Sequence, residues 1–226
     1  MLSRRSAVVL IAAAPLALPR LGRAATSQLI DDWSRLPLGV RGVPAGWRPY
    51  ATPGGHAAYD FTIVDDGGRR ALELKSHGDH STIAKEATID LTATPLLEWS
   101  WRVMAFPAGA DLRRKETSDA AGHLLVVWPR VPALLRSRLI GYVWDPALPV
   151  NSVVASRKTG TVSFLVVRSG TDHSAWQTEQ RDVAEDYRRI FREEPSSPRA
   201  VALSIDTNDT RSSAATRFGK ILFRSR

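Results

Sequence analysis

The sequence predicts a mostly β protein in which two antiparallel sheets pack as a jelly-roll-like sandwich, with one helix near the C-terminus. About ten short alternating or apolar runs are separated by turn residues, mainly Gly, Pro and Asp. One segment alone combines a helix cap with an apolar helical face. The regular alternation of strands and helices that is typical of parallel α/β sheets is missing, so the pattern favours a sandwich.

The clearest local signal is a β-hairpin in the first third of the chain. Residues Tyr59–Val64 alternate between apolar and polar side chains, and Asp65–Gly68 is a turn sequence. Ala71–Lys75 then supplies the second strand, and Ser81–Leu91 carries a third apolar run of one parity.

A second group of strands is predicted from tryptophan-rich and apolar segments. Trp99 and Trp101 share a parity with Leu97 and Val103, which predicts a half-buried strand that presents two indoles to one face. His123–Trp128 is apolar at both parities, as expected of a central strand. The remaining predicted strands are Leu139–Trp144, Val162–Arg168, Ala175–Val183, Val201–Asp206 and Phe218–Phe223.

The predicted helix follows Asp182. Asp182 can cap it, and Glu185 three residues later completes a capping box. Arginines in the last turns suit the helix dipole, and Pro195 ends the segment. We expect the helix to pack on a sheet through Val183, Tyr187, Ile190 and Phe191.

Residues 1–24 have the features of an export signal, followed by a single domain over residues 25–226. Arg4 and Arg5 precede an apolar run from Ala7 to Leu18, which is too short to span a membrane, and a small-residue cleavage site ends at Ala24. The paired arginines indicate a twin-arginine signal, and a general secretory signal is the alternative. We therefore expect a periplasmic or secreted protein without a transmembrane segment once the signal is removed.

The composition excludes several classes of function. The chain has no cysteine, which excludes disulfides, thiolate metal sites and cysteine nucleophiles. Its formal net charge is +8. Four of the basic residues lie in the leader and the remaining arginines are scattered, so the basic stripe of a nucleic-acid-binding face is missing.

Asp206, Asn208 and Asp209 form a short cluster of oxygen-bearing side chains after a predicted strand. Such oxygens are ligands for calcium, which makes this a candidate calcium site, but Arg211 and Arg217 stand where a helix-loop-helix calcium loop needs Gly and Glu. The alternative, which we favour, is a strand end whose side chains bond their own turn.

Trp144 and Trp176 are the aromatic candidates for ligand binding. Together with Trp128 they lie at predicted strand ends or edges, where an exposed indole can stack on a sugar ring. Tryptophans in a sandwich usually pack in the core, and Trp144 is the first exception that we expect.

Catalytic signatures are weak. The chain has neither a G-x-S-x-G nucleophile elbow nor a His-x-x-x-His metal pair. Asp119, Asp206 and Asp209 supply carboxylates for a glycosidase-like hydrolase, whose two acids must sit at a defined separation. His123 and His173 are further acid or base candidates, and Ser169 and Ser174 are candidate nucleophiles; His77 and His80 are interpreted as solvated turn residues.

From about Trp33 to its end the chain resembles the bacterial family called domain of unknown function 3047. The resemblance rests on the order and spacing of Leu97–Arg102, Tyr142–Trp144, Trp176 with Arg181–Val183 and Asp186–Arg188, Ser204–Thr210 and Gly219–Phe223. The family usually shows two Asp and then an Arg before the strand at Leu124, where this chain has Ser118-Asp119 and His123. The resemblance implies export and a sandwich similar to carbohydrate-binding modules; the family has no established activity.

These observations predict an exported, non-catalytic β-sandwich that binds a glycan or another component of the cell envelope. The alternatives are a carboxylate-dependent, glycosidase-like hydrolase and a structural subunit of an envelope complex. The candidate ligand-binding residues are Trp144, Trp176, Asp119, Asp206, Asn208 and Asp209.

Overall fold

The computed structural model describes residues 26–50, 56–132, 136–172 and 175–226. The predicted export signal, His173 and Ser174 lie outside these ranges. Within them, thirteen strands form two sheets that pack face to face, which confirms the predicted β-sandwich.

One sheet has six strands. Five are neighbours in a row, and the first strand of the chain pairs with the long strand at the C-terminus. The row is β11 (Gln177–Asp182), β6 (Leu96–Ala105), β13 (Ser213–Arg224), β4 (Arg69–His77) and β3 (Asp60–Asp66), with β1 (Ser27–Asp31) beside β13.

The other sheet has seven strands. In spatial order these are β2 (Arg48–Pro49), β5 (His80–Glu86), β12 (Ala200–Asp206), β7 (Ala120–Trp128), β8 (Arg138–Asp145), β10 (Val162–Ser169) and β9 (Val153–Ala155). One departure from the predicted antiparallel sandwich is that β10 runs parallel to β8. The chain turns back after β8 into the short edge strand β9, and β10 then returns between the two, so it runs in the direction of β8.

The predicted hairpin is confirmed as β3–β4. Asp66 pairs with Arg69, and Gly67 and Gly68 form the two-residue turn between them. Both glycines have positive φ, 66° and 84°, a backbone conformation that this turn type requires and that glycine adopts without a steric penalty.

The core lies between the two sheets. Trp99 and Trp101 point inward from β6 and are completely buried, which confirms the face with two tryptophans. The ring of Tyr142, from β8 of the opposite sheet, lies 5.3 Å from that of Trp99. Large side chains from both inner faces therefore interdigitate.

The predicted helix is confirmed as α1 (Val183–Phe191). The carboxylate of Asp182 accepts a hydrogen bond from the backbone N–H of Glu185 at 3.0 Å, as an N-cap does. Val183 and Tyr187 are buried, and the Tyr187 ring lies 4.7 Å from that of Trp128. The helix therefore closes one part of the core.

None of the helices in the described part of the chain combines the length and the apolarity needed to cross a bilayer.

Candidate functional site

A row of polar side chains crosses the outer face of the seven-stranded sheet. Ser204 on β12 pairs with Thr82 on β5 and with His123 on β7. The next residues along the strands point into the core, since Ile83, Leu203 and Leu124 are completely buried there. Because side chains alternate along a strand, Thr82, Ser204 and His123 share the opposite face.

Hydrogen bonds link this row. The hydroxyl oxygens of Thr82 and Ser204 are 2.6 Å apart. Nε2 of His80 lies 2.9 Å from the Thr82 hydroxyl and 3.3 Å from the Ser204 hydroxyl. His80 also pairs across the strands with Asp206, so the row leads directly to the predicted acidic cluster.

Asp119 holds the turn after β12. It lies just before β7, is buried, and accepts hydrogen bonds from the backbone N–H groups of Asp209 at 3.2 Å and Thr210 at 2.7 Å. The Thr210 hydroxyl donates to the same carboxylate at 2.6 Å. The backbone N–H of Asn208 donates to Asp206 at 3.4 Å. The bond to Asp206 lies within the turn, as the favoured interpretation expects, whereas the bonds to Asp119 come from a residue 90 positions before Asp209.

Asp206 is a buried acid beside this carboxylate. Burial is the main cause that raises the pKa of Asp206 to about 8; the neighbouring Asp119, to which it is hydrogen-bonded, acts in the same direction, while Lys158 opposes the shift. Asp206 is therefore largely protonated at pH 7 and donates its hydrogen bond to Asp119.

Lys158, from the connection between β9 and β10, reaches over the sheet to the acids. Its Nζ contacts Oδ2 of Asp209 and lies 3.6 Å from Oδ2 of Asp206. An ammonium group thus lies between the two carboxyl groups named as calcium ligands. In the described residues no three His, Asp or Glu are arranged to hold a metal ion. Calcium binding at Asp206, Asn208 and Asp209 stays a prediction.

His123 ends the row and is neutral. It is 6% exposed, and burial lowers its pKa to about 3, helped by the positive charge of Lys158 and, when that ring is protonated, of His80. Its ring lies 5.5 Å from the ring of Phe164. Its Nδ1 has no hydrogen-bond partner among the described residues. A buried polar atom without a partner is costly and marks a place where a ligand can supply one.

The prediction that Trp144 is exposed at a strand edge is wrong. Trp144 is 2% exposed, and its ring lies 6.0 Å from that of Trp101 and 5.9 Å from that of Phe106. Its indole N–H donates to the carbonyl oxygen of Gly170 at 2.8 Å. Because β8 is an interior strand and Trp144 has the parity of Tyr142, the indole points into the core and is closed to a sugar.

Trp176 is half-buried and belongs to the other sheet. Its indole N–H donates to Asp66 at 2.9 Å, and the guanidinium group of Arg69 lies 4.8 Å from its ring. A Cβ atom at Gly219 would lie 3.3 Å from the ring, so the indole covers this glycine of β13. The structure therefore separates Trp176 from the acidic cluster.

The three predicted carboxylates do converge. Asp119, Asp206 and Asp209 meet where β12 ends and β7 begins. However, Asp119 and Asp206 are directly hydrogen-bonded, whereas a retaining glycosidase holds its acids about 5–5.5 Å apart and an inverting one farther still. The pair Asp119–Asp206 therefore lacks the spacing of glycosidase acids.

Sequence reasoning missed Thr82, Ser204 and Lys158, and its interpretation of His80 as a solvated turn residue is wrong, because His80 is half-buried within the polar row. For His80, Thr82 and Ser204 the sequence does carry a signal. Ser204 shares the outward parity of Asp206, and its strand must pair with a neighbour, whose outward side chains then lie beside it. Lys158 has no such signal, because it reaches Asp206 from a connection 48 residues earlier in the chain.

A family model described as a protein of unknown function, DUF3047, matches residues 45–222. This chain belongs to that family. The predicted resemblance is thereby confirmed over most of the described chain. No functionally curated protein matches the sequence of this DUF3047 member.

Solved structures similar to this DUF3047 protein include three carbohydrate-active proteins. One is the xyloglucanase domain of a type three effector from Sinorhizobium fredii, with 9% identity, 83% of this chain and 96% of that chain covered, and a TM-score of 0.43. Another is a family 30 carbohydrate-binding module of a Clostridium thermocellum cellulase, with 13% identity, 84% of this chain and 96% of that chain covered, and a TM-score of 0.45. The third is a mutated Cel12A cellulase of Rhodothermus marinus, with 7% identity, 89% of this chain and 100% of that chain covered, and a TM-score of 0.47. At such identities the likeness concerns the fold alone.

Proposed function

We propose that this protein is an exported β-sandwich that binds a neutral glycan, or an envelope component that carries one, without cleaving its glycosidic bonds. The ligand binds to the outer face of the seven-stranded sheet. The observation that carries the proposal is the unpartnered Nδ1 of His123, beside the hydroxyl pair of Thr82 and Ser204. The features of the leader support the export.

The row favours a neutral, hydroxyl-rich ligand because its own groups are neutral at pH 7. The pKa of His123 is lowered to about 3, burial lowers that of His80, and that of Asp206 is raised to about 8. Imidazole, hydroxyl and protonated carboxyl groups each offer both a donor and an acceptor. Sugar hydroxyls require this combination, whereas an anion would call for cationic partners.

Apolar side chains surround the polar row on the same face. The ring of Phe164 lies beside His123, and small aliphatic residues continue the surface along β5 and β12. Apolar surface with a few convergent polar groups is the usual character of a ligand site. It suits the C–H faces of a sugar ring.

The row is buried in this structure, so binding requires an opening. Lys158 holds the β9–β10 connection over the row, because its side chain contacts Asp206 and Asp209 across the sheet. Displacing this connection leaves the core of the sandwich intact, since residues 157–160 are exposed. Binding of the glycan therefore displaces the β9–β10 connection.

A second candidate function is a carboxylate-dependent hydrolase. The observation that favours it is Asp206, whose pKa of about 8 keeps the acid protonated at neutral pH, as a general acid requires. Its hydrogen bond to Asp119 and the missing separation between the two acids speak for binding instead.

Binding of purified protein to an array of neutral oligosaccharides, followed by calorimetry on the best ligand, tests the proposal. We expect His123→Ala and Ser204→Ala each to weaken binding about tenfold, the effect of roughly 1.4 kcal/mol. Trp176→Ala, on the other sheet, is the matched control and should bind as wild type does. Retention of no glycan above background, or unchanged affinity in His123→Ala, would contradict the proposal. Release of reducing ends by wild type but not by Asp206→Asn would favour the hydrolase.

A further inference from the structure

We propose that Ser213 is a nucleophile, with His77 as its general base, and that the pair cleaves short-chain acyl esters. Oγ of Ser213 lies 2.6 Å from Nδ1 of His77. A serine hydroxyl within hydrogen-bond reach of an imidazole is the basic arrangement of nucleophilic catalysis. The pair belongs to the six-stranded sheet, so this inference goes beyond glycan binding and concerns a separate site.

The strands hold the two side chains together. His77 is the last residue of β4, Ser213 is the first of β13, and the two residues pair directly across the strands. The backbone N–H of His77 donates to the buried carboxylate of Asp79 at 2.8 Å, which fixes the end of β4. Both Ser213 and His77 are exposed, so a substrate can reach them.

A depression of about 370 Å³ lies beside the pair. Its apolar lining consists of small side chains, and its polar lining comprises the two members of the pair, a lysine, a second serine and two aspartates. This volume is at the small end of the range for ligand pockets, which suits a short acyl group such as acetyl. The alanines are Ala58, Ala105, Ala214 and Ala215.

Lys75 supplies positive charge in the same depression. Its side chain is 54% exposed, and its ammonium group lies 2.9 Å from one oxygen of Glu73, so it keeps further N–H donors for a ligand. A cation at this place can stabilise the negative oxygen that forms when an ester carbonyl is attacked.

The chemistry needs only water as a co-reactant. In the tautomer with an unprotonated Nδ1, Ser213 donates its hydrogen bond to His77. Oγ then bonds to the carbonyl carbon of the ester while its proton moves to Nδ1. The carbon–oxygen bond to the alcohol breaks, and the alcohol leaves with that proton. Water hydrolyses the acyl-serine by the same steps, which releases the carboxylic acid and restores both side chains.

Labelling with a fluorophosphonate probe, located by peptide mass mapping, tests this inference. We expect one phosphonyl group on Ser213, no label at this site in Ser213→Ala, and labelling about 100-fold slower in His77→Ala, the lower end of the contribution of a general base. Added imidazole should restore the rate in His77→Ala, which a purely structural cross-strand bond would not predict. The matched control is Ser34→Ala, which removes an exposed serine whose hydroxyl donates to Asp32 and should leave the labelling unchanged.

Turnover of p-nitrophenyl acetate should follow the labelling in each variant. Absence of label on Ser213 in the wild-type protein would overturn the inference. So would rates of labelling and turnover in His77→Ala and His77→Gln that equal those of wild type, provided that both variants keep wild-type thermal stability. Glycan binding by Ser213→Ala and labelling of His123→Ala keep the two proposals separable, because each variant alters one site only.

Discussion

The carboxyl group of Asp206 is hydrogen-bonded to the carboxylate of Asp119 on the outer face of the seven-stranded sheet. The two acids differ in role. Asp119 accepts three hydrogen bonds from the turn that follows β12, whereas Asp206 stays protonated because it is buried beside a negative charge. One acid therefore fixes the backbone and the other keeps a proton at neutral pH.

Asp206→Asn should change how stability depends on pH. The pKa of Asp206 is about 8 in the folded protein and 3.8 for an unperturbed Asp of the unfolded chain, so between these pH values the folded state holds a proton that the unfolded chain has lost. The free energy of unfolding that Asp206 contributes thus falls as pH rises from about 4 to 8. Asn keeps a donor for Asp119 and does not titrate. The free energy of unfolding of the variant should therefore rise relative to that of wild type as pH increases through this range.

Urea denaturation of both proteins at a series of pH values measures this difference. His80 and His123 have lowered pKa values and act in the opposite direction below about pH 6.5, but they are present in both proteins. Parallel curves for the two proteins would show that Asp206 is ionised in the folded state.

Lys158→Met should strengthen glycan binding if Lys158 closes the polar row. The substitution keeps most of the length of the side chain and removes its ion pair with Asp209 and its contact with Asp206. A partly exposed ion pair is worth up to about 1 kcal/mol, which predicts up to about a fivefold gain in affinity by calorimetry. Lys75→Met, on the other sheet, is the control. Weaker binding in Lys158→Met would mean that the lysine contacts the ligand and does not exclude it.

Asp186→Ala should destabilise the fold through a buried ion pair. Asp186 is 3% exposed, and it accepts hydrogen bonds from Arg181 at 2.9 Å and from the Tyr142 hydroxyl at 3.1 Å. Its removal leaves a largely buried guanidinium group without its carboxylate partner, which costs about 3 kcal/mol. Chemical denaturation measures the loss. The neighbouring Glu185→Ala exchanges an exposed residue of the same helix and should cost less than about 1 kcal/mol.

Trp144→Ala should lower stability, in contrast to the exposed role expected from the sequence. Removing an indole from the core costs about 3–5 kcal/mol. Trp176→Ala should cost less, because that ring is half-buried on an outer face. Thermal melts of both variants measure the difference. Equal losses would mean that the two rings are equally buried in solution.

Replacement of Arg4 and Arg5 by lysine tests the export route. A twin-arginine signal depends on the arginine pair, so we expect the double variant to remain in the cytoplasm while wild type appears in the periplasm or medium. A general secretory signal needs only positive charge in this region and would tolerate the change. Fractionation and immunoblotting distinguish the outcomes, and accumulation of wild type in the cytoplasm would contradict export.

Local patterns predicted the elements whose formation depends on neighbouring residues. The β3–β4 hairpin follows from two glycines that fit its turn, and helix α1 from a capping aspartate and an apolar face. The ends of long strands were less predictable. β13 begins at Ser213 and not at Phe218, because pairing with β4 extends it through residues that have no strand pattern of their own.

By itself, the sequence determined the sandwich class, the family and the acidic turn after β12, because alternation, turn chemistry and motif order are properties of short stretches. The tertiary structure alone decided that Trp144 points into the core, that Asp206 meets Asp119, and that β10 returns parallel to β8. Only the pairing of strands distant in sequence determines which face a side chain shares and which charges meet, and burial there decides whether an acid such as Asp206 keeps its proton.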